Sequence, residues 1–511
     1  MSEPTMPPLP EQTFFIKTLF YIMEEYRGIV NFLLVLPVSF AVDTVWALRD
    51  WFYENFATAA HLHDSRVARV QAQVREWRTR TDAGEKVGKM CTDRRPWLTM
   101  SPAIRDFKKE CRKITVSDMC DILRIDEEKM TVTAEPLVNM GYLTRALVPR
   151  GFAMKVQVEM EDITLGGITM GLGMETDSHR HGLVQECIVS YDIVLASGEC
   201  VHATRDNEHA ELFACLPWSC GTLGLLVAVE VEMVHIKPYV KAVYVPTFSN
   251  AEHCKRLKEL SLLPEGEVPQ FLESTVYSKD RAVIQLCTSC DITWYEFFFK
   301  VNRVNLWFKP YYYHWLENAF ERTNAQTGEP GFEELIPLRH YYHRYSRSIF
   351  WMLEDLIPFG NHMWYRYLFG WLGAPKPAVL KFVLTPSIRE AAVTKQVVQD
   401  IILPMDDLAD AVELFHKEWE IYPLLVFPIR IYDHGKHQGF LRRPTRTDGV
   451  DGPDGQHPGK VIRNNSTTKQ MLESNYSNNH HHYHHYNHNH NFKGVGHVRR
   501  SRRIRRAAGS A

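Results

Sequence analysis

Four glycines stand within eight residues, at Gly166, Gly167, Gly171 and Gly173. Glycine at that density suits neither a helix interior nor a strand interior, because it loses the most backbone freedom on ordering. What it permits is close approach: with no Cβ in the way, main-chain N–H groups can reach an anion directly. A diphosphate, whose oxygens need donors on several sides, is the anion that requires this. The full run is Thr164-Leu165-Gly166-Gly167-Ile168-Thr169-Met170-Gly171-Leu172-Gly173-Met174-Glu175-Thr176. It has neither the strand-to-helix setting of GxGxxG nor the Gly-Lys-Ser/Thr of a P-loop. On these residues alone, a purely structural glycine-rich turn stays open beside the anion cradle.

A second concentration of ionisable groups is Arg339-His340-Tyr341-Tyr342-His343-Arg344. Tyr342 and His343, with Tyr341 beside them, are candidate proton donors because such groups crowd there. Other motifs carry less. Ten cysteines in 511 residues are too few for a disulfide scaffold, and they read as reduced side chains packed as small hydrophobes. Cys287 and Cys290 form a lone CxxC. Residues 480–490 hold seven histidines and residues 499–506 six arginines. Neither has a chemical neighbour, so no metal site and no specific nucleic-acid partner is expected.

Hydrophobic residues make up 45% and charged residues 23% of the chain, the usage of a globular protein. Extended disorder, collagen and coiled coil are excluded. Charge is distributed unevenly. Residues 434–511 carry fourteen Lys/Arg against four Asp/Glu, a net of +10 that leaves −12 on residues 1–433. The tail 433–511 lacks the apolar residues for a core and is expected to be disordered.

The elements that must position the chemistry follow from periodicity. From Cys91 to Val234, short β-rich runs alternate with glycine turns. Ile188–Leu195, the turn Ala196-Ser197-Gly198-Glu199 and Cys200–Ala203 predict a hairpin, and Leu225–Val234 predicts a buried strand. Asp64-Ser65 predicts the cap of a helix with Val67, Val70, Val74 and Trp77 on one stripe. From Tyr239 to Tyr432 the chain is rich in aromatic residues, as a large core or as a face for an apolar ligand or lipid. The fold class is α+β.

Gly28 to Leu48 carries a single charge, Asp43, and one proline, Pro37. Its 21 positions match the roughly 20 residues a helix needs to cross a bilayer. Trp46, Trp51, Phe52 and Tyr53 follow as an interfacial belt. Arg49, Arg66, Arg69, Arg75, Arg78 and Arg80 lie after it, against Lys17 and Arg27 before it. The positive-inside bias puts the body in the cytosol, on a single-pass anchor.

The order of four segments resembles the FAD-binding (PCMH-type) domain of the vanillyl-alcohol-oxidase superfamily. They are Arg94-Arg95-Pro96-Trp97-Leu98-Thr99, Val132–Gly141, the glycine run, and Pro217-Trp218-Ser219-Cys220-Gly221-Thr222-Leu223-Gly224. The second half is more specific. Arg339–Arg344, Arg347–Trp351, Ile357–Asn361, Arg366–Trp371 and Val397–Met405 resemble the Δ24-sterol reductase family, over roughly residues 28–427.

That resemblance implies noncovalent FAD held by Thr164–Thr176 with Gly221, Thr222 and Gly224 on the flavin side. It also implies NADPH as reductant, a sterol with a 24(25) double bond as substrate, and an endoplasmic reticulum (or Golgi) membrane. The organisation it implies is an N-terminal segment 1–27, an anchor 28–48, a FAD-binding domain 58–235, a substrate (cap) domain 236–432 and the tail 433–511. An isolated alkene needs a proton at C24 and a hydride at C25, so the site must supply an acid and exclude water.

Two departures stand out. Relatives carry a proline-punctuated segment before the glycine run, where this chain reads Met154-Lys155-Val156-Gln157-Val158-Glu159-Met160. Past Phe427-Pro428 the resemblance stops and the basic tail begins. That replacement leaves an alternative: a membrane-tethered pseudoenzyme that binds sterol or FAD without turnover.

Overall fold

The computed structural model describes residues 25–95, 106–324, 328–374, 396–432 and 457–467, with isolated positions at 18, 21, 98 and 379. The histidine tract, the arginine cluster and most of the segment 1–27 lie outside the described residues.

The chain opens with helix α1, Gly28–Phe56, long and apolar enough to cross a membrane. It runs eight residues beyond the expected end of the span, and a π-helical turn, Asn31–Val35, lies near its start. Helix α2, His63–Asp82, follows. Its buried residues are Arg66, Val70 and Val74. The expected cap is absent: Leu62 is the N-cap and makes no side-chain bond, while the Ser65 hydroxyl turns back to the Leu62 carbonyl. Arg66 belongs to the buried stripe because it meets the fully buried Asp121 and Glu135 at 2.6 and 2.8 Å.

Strands β1 (Met90–Thr92) and β2 (Arg112–Ile114) form a small parallel pair. A six-stranded antiparallel sheet comes next. It contains β3 (Ile122–Asp126), β4 (Thr131–Ala134), β5 (Phe152–Met154), β6 (Ile188–Val194), β7 (Cys200–Ala203) and β8 (Leu225–His235). The predicted hairpin is β6–β7, with Gly198 at φ +82° in its turn. Between β4 and β6 lie helices α3 (Met140–Leu147), α4 (Leu165–Thr169) and α5 (Ser178–His181). Asn139 caps α3 by accepting from the Tyr142 N–H.

The second sheet has seven antiparallel strands in the order β12-β9-β11-β10-β14-β15-β13. They are β9 (Tyr239–Thr247), β10 (Phe271–Ser278), β11 (Arg281–Cys290), β12 (Phe332–Pro337), β13 (Gln396–Pro404), β14 (Leu424–Ile431) and β15 (His457–Thr467). Helix α6 (Asn250–Ser261) packs on β9, β11 and β14, and α7 (Leu338–Tyr342) follows β12 directly. Helix α8 is Met363–Phe369. Its core is aromatic: Tyr244, Phe271, Tyr312, Tyr341, Tyr342, Tyr345 and Phe427 are all buried. The aromatic-rich half is therefore largely a packed interior.

Strand β15 falls within the tail 433–511 expected to be disordered, and the rest of that tail lies outside the described residues. Residues 457–467 pair with both β13 and β14. Two neighbouring strands leave rows of unpaired N–H and C=O groups, and a backbone can satisfy them whatever its side chains.

Candidate functional site

The glycine run folds as one short helical turn and a following loop. Its start is pinned by backbone bonds: the Leu165 N–H donates to the Val138 carbonyl at 2.7 Å and the Gly166 N–H to the Pro136 carbonyl at 2.8 Å. This brings the run against Val132–Gly141, one of the segments that carried the resemblance. The glycines do different things. A Cβ on Gly166 would lie 2.6 Å from the Pro136 Cβ, and one on Gly173 would lie 2.5 Å from the Val184 side chain. Those two allow the turn to pack on its own protein. Gly167 is exposed, and a Cβ there would meet only the Thr164 hydroxyl, at 3.1 Å. The backbone N–H groups of Gly167 and Gly171 make no hydrogen bond among the described residues.

The Trp218–Gly224 segment closes over this turn. The Trp218 N–H donates to the Gly171 carbonyl at 3.2 Å, and the Cys220 N–H to the Met170 carbonyl at 2.9 Å. Trp218, Cys220 and Gly221 all have positive φ, 66°, 50° and 78°. The first two hold a conformation that costs non-glycine residues about 1–2 kcal/mol each. Gly221 and Thr222 are exposed, and a Cβ on Gly221 would meet open space. Gly224 instead packs on Ile193. The fold thus brings together the two stretches expected to hold the cofactor, and within them Gly167, Gly171, Gly221 and Thr222 are left available to it.

Arg94 adds a charge that no motif assigned. Its guanidinium donates to the Thr164 Oγ1 at 3.3 Å. Burial lowers its pKa from the ordinary value, an electrostatic cost that an anionic ligand beside it would offset. The signal was present in Arg94-Arg95-Pro96-Trp97, but its contact lies 70 residues downstream.

The second cluster meets the glycine run from behind. The Leu272 N–H of β10 donates to the Thr176 carbonyl at 2.8 Å, and the Phe271 ring lies 5.1 and 5.9 Å from those of Tyr341 and Tyr342. His343 is buried with both ring nitrogens engaged. Nδ1 lies 2.9 Å from the Glu159 carbonyl and Nε2 lies 2.8 Å from the Thr144 hydroxyl. Burial lowers its pKa, so it is held neutral. A neutral ring bonded on both sides can hold two segments together but has no free proton to give.

Tyr342 is different. Its hydroxyl is buried and has no hydrogen-bond partner among the described residues. Burial pushes its pKa well up, and the charge of Asp177 adds to the effect. Asp177 is itself buried, and that burial pushes its pKa up to about 7. A buried carboxyl with a raised pKa therefore follows the glycine run directly, and its charge acts on the Tyr342 phenol. Arg344 is deeper, in an ion pair with Glu273 at 2.7 Å in which neither side chain is exposed.

Comparison with known proteins agrees with this arrangement. Residues 105–204 match the family described as FAD binding domain. That span contains the whole glycine run, while Trp218–Gly224 joins it by contact. The chain is 38% identical to the Delta(24)-sterol reductase of Rattus norvegicus over 413 residues, 81% of this chain and 77% of the relative. The chain belongs to the Delta(24)-sterol reductase family. The Delta(24)-sterol reductase of Arabidopsis thaliana is 35% identical, over 80% of this chain and 72% of its own. A Delta(24)-sterol reductase homolog of Caenorhabditis elegans is 34% identical, over 88% and 86%.

FAD is the cofactor of this family's nucleotide-binding half, and the residues present fit it. Two unpartnered amides, an open glycine face and a partly desolvated guanidinium are what a diphosphate would satisfy. Among the described residues, no group of three or more His, Cys, Asp or Glu side chains could hold a metal ion.

Proposed function

We propose that this protein reduces the 24(25) double bond of a sterol side chain, with FAD as cofactor and NADPH as electron source. It would work at the endoplasmic reticulum membrane, with the body in the cytosol. The carrying observation is the glycine turn with unpartnered amides at Gly167 and Gly171, roofed by Trp218–Gly224 and flanked by Arg94. Residues 58–235 act as the FAD-binding half and 236–432 as the substrate half.

Bound FAD supplies hydride to the alkene; the chain supplies the rest. The amides of Gly167 and Gly171, with Arg94, would hold the diphosphate, and Gly221 and Thr222 would border the flavin. Tyr342, whose hydroxyl is committed to no other described residue, donates the proton to C24. The aromatic faces around them exclude water and stabilise positive charge developing at C25. His343 positions the segment and does not donate.

The test is anaerobic. The chain is purified in detergent, its flavin spectrum recorded, and NADPH and then a sterol with a 24(25) double bond are added. Bleaching by NADPH and recovery on adding sterol is the expected result. Bleaching without recovery would refute turnover and leave the binding-protein alternative.

A further inference from the structure

Helix α1 is tied to the folded body at both of its ends. Near its start, the Asn31 side chain donates to the Leu356 carbonyl at 3.1 Å. The Phe32 ring lies 4.9 Å from Phe369 and 5.7 Å from Tyr365. Phe40 lies 5.2 Å from Trp371. Near its end, the Tyr53 hydroxyl donates to Asp121 at 2.9 Å, and Glu54 pairs with Arg145. At 1.5 Å per residue, Asn31 and Glu54 are about 35 Å apart along the axis. The hydrocarbon core of a bilayer is about 30 Å thick. If α1 stood upright, Leu356 and Asp121 would lie on opposite sides of the membrane, although both belong to one folded body.

The surface beside α1 is apolar as well. Met363, Trp364, Tyr367 and Leu368 on α8 and Trp371 just after it are 49–68% exposed. On α1 itself Leu33, Leu34, Val38, Val45 and Leu48 are exposed. The Phe32 and Phe40 contacts join the two surfaces edge to edge. Exposed apolar area of this extent marks a binding surface, and tryptophan and tyrosine at its margin suit the headgroup level.

We infer that α1 lies along a single leaflet with α8 and the Trp371 turn inserted beside it, so that one continuous apolar face seats the body on the bilayer. The occupant is lipid, because the face is continuous with the membrane helix itself. The inference needs only that α1 meets the membrane; it does not depend on the proposed flavin chemistry. It also places the substrate half at the depth where a membrane-dissolved apolar substrate resides.

Two measurements on the full chain in sealed vesicles test it. The first uses phosphatidylcholine bearing a diazirine midway along one acyl chain, with adducts mapped by mass spectrometry. Adducts in both Leu33–Phe52 and Met363–Trp371 are expected. Adducts confined to α1 would overturn the inference. The second is protease protection of an N-terminal epitope. Digestion of epitope and body from the same side is expected, and protection of either one alone would overturn it. Neither readout uses turnover, so an inactive enzyme and a misplaced membrane face give distinguishable results.

Discussion

Substitution of Gly167 separates folding from cofactor binding. In the free chain, Gly167→Ala adds a methyl that meets only the rotatable Thr164 hydroxyl at 3.1 Å. Gly167 sits inside the helical turn Leu165–Thr169, where removing glycine is worth up to about 1 kcal/mol to the fold. The apo-protein is expected to be as stable as wild type or slightly more so. Binding moves the other way. A methyl in front of the exposed amide face pushes a phosphate oxygen off the Gly167 and Gly171 N–H groups, and one charge-assisted hydrogen bond is worth about 1.5–3 kcal/mol. FAD affinity should fall about tenfold to a hundredfold. Gly166→Ala is the contrast. Its Cβ would press on Pro136 at 2.6 and 2.9 Å, and such overpacking costs about 1–3 kcal/mol of stability. The assay is titration of apo-protein with FAD by flavin fluorescence, alongside urea unfolding of the same apo-protein. Wild-type FAD affinity in both Gly167→Ala and Gly167→Val would refute the amide cradle, because then nothing approaches that face.

Arg94→Met should weaken FAD about tenfold and flatten the salt dependence of binding; an unchanged salt slope would remove Arg94 from the site. Tyr342→Phe should keep flavin and NADPH bleaching but slow reoxidation by sterol at least about a hundredfold, and full turnover would discard Tyr342 as donor. Arg344→Met strands Glu273 in the core and should cost about 3–5 kcal/mol in urea unfolding, with part regained in Arg344→Met/Glu273→Gln; equal stability of the two variants would contradict the pairing. His179 is buried against the Pro269 carbonyl, 2.8 Å away, and burial lowers its pKa to about 4. The unfolded chain then takes up that proton first, so stability is complete above about pH 6.5 and falls as pH drops toward 4. His179→Gln should flatten that acid limb, and an identical limb in the variant would refute the assignment.

What the sequence made legible was local. The hairpin β6–β7 and the long strand β8 were readable because burial along them follows alternation and turn chemistry. The glycine run was readable because no other residue tolerates such approach. What stayed hidden depends on partners far along the chain. Arg66 reads as surface until Asp121 and Glu135 arrive, 55 and 69 residues later. His343 reads as a candidate acid until Thr144, 199 residues earlier, takes one ring nitrogen. Strand β15 could not be read at all, because the slot between β13 and β14 recruits backbone, not side chains.

The segment before the glycine run, where the resemblance implies prolines, is held from outside the run. Proline would stiffen the entry to the run by itself. Here Val156–Met160 is buried and held from outside. The Glu159 N–H donates to the Glu175 carboxylate at 3.1 Å, at the far end of the run. The Glu159 carbonyl accepts from His343 Nδ1 and from the Ser346 hydroxyl, at 2.9 and 3.1 Å. Arg339 pairs with Glu161 at 2.7 Å. Three groups between Arg339 and Ser346 therefore set the path into the glycine run. A clamp made of long-range hydrogen bonds can be cut by substitutions outside the run, whereas proline stiffness would persist. It follows that loosening the clamp, as in Ser346→Ala with Arg339→Met, should weaken FAD without touching any residue of the glycine run.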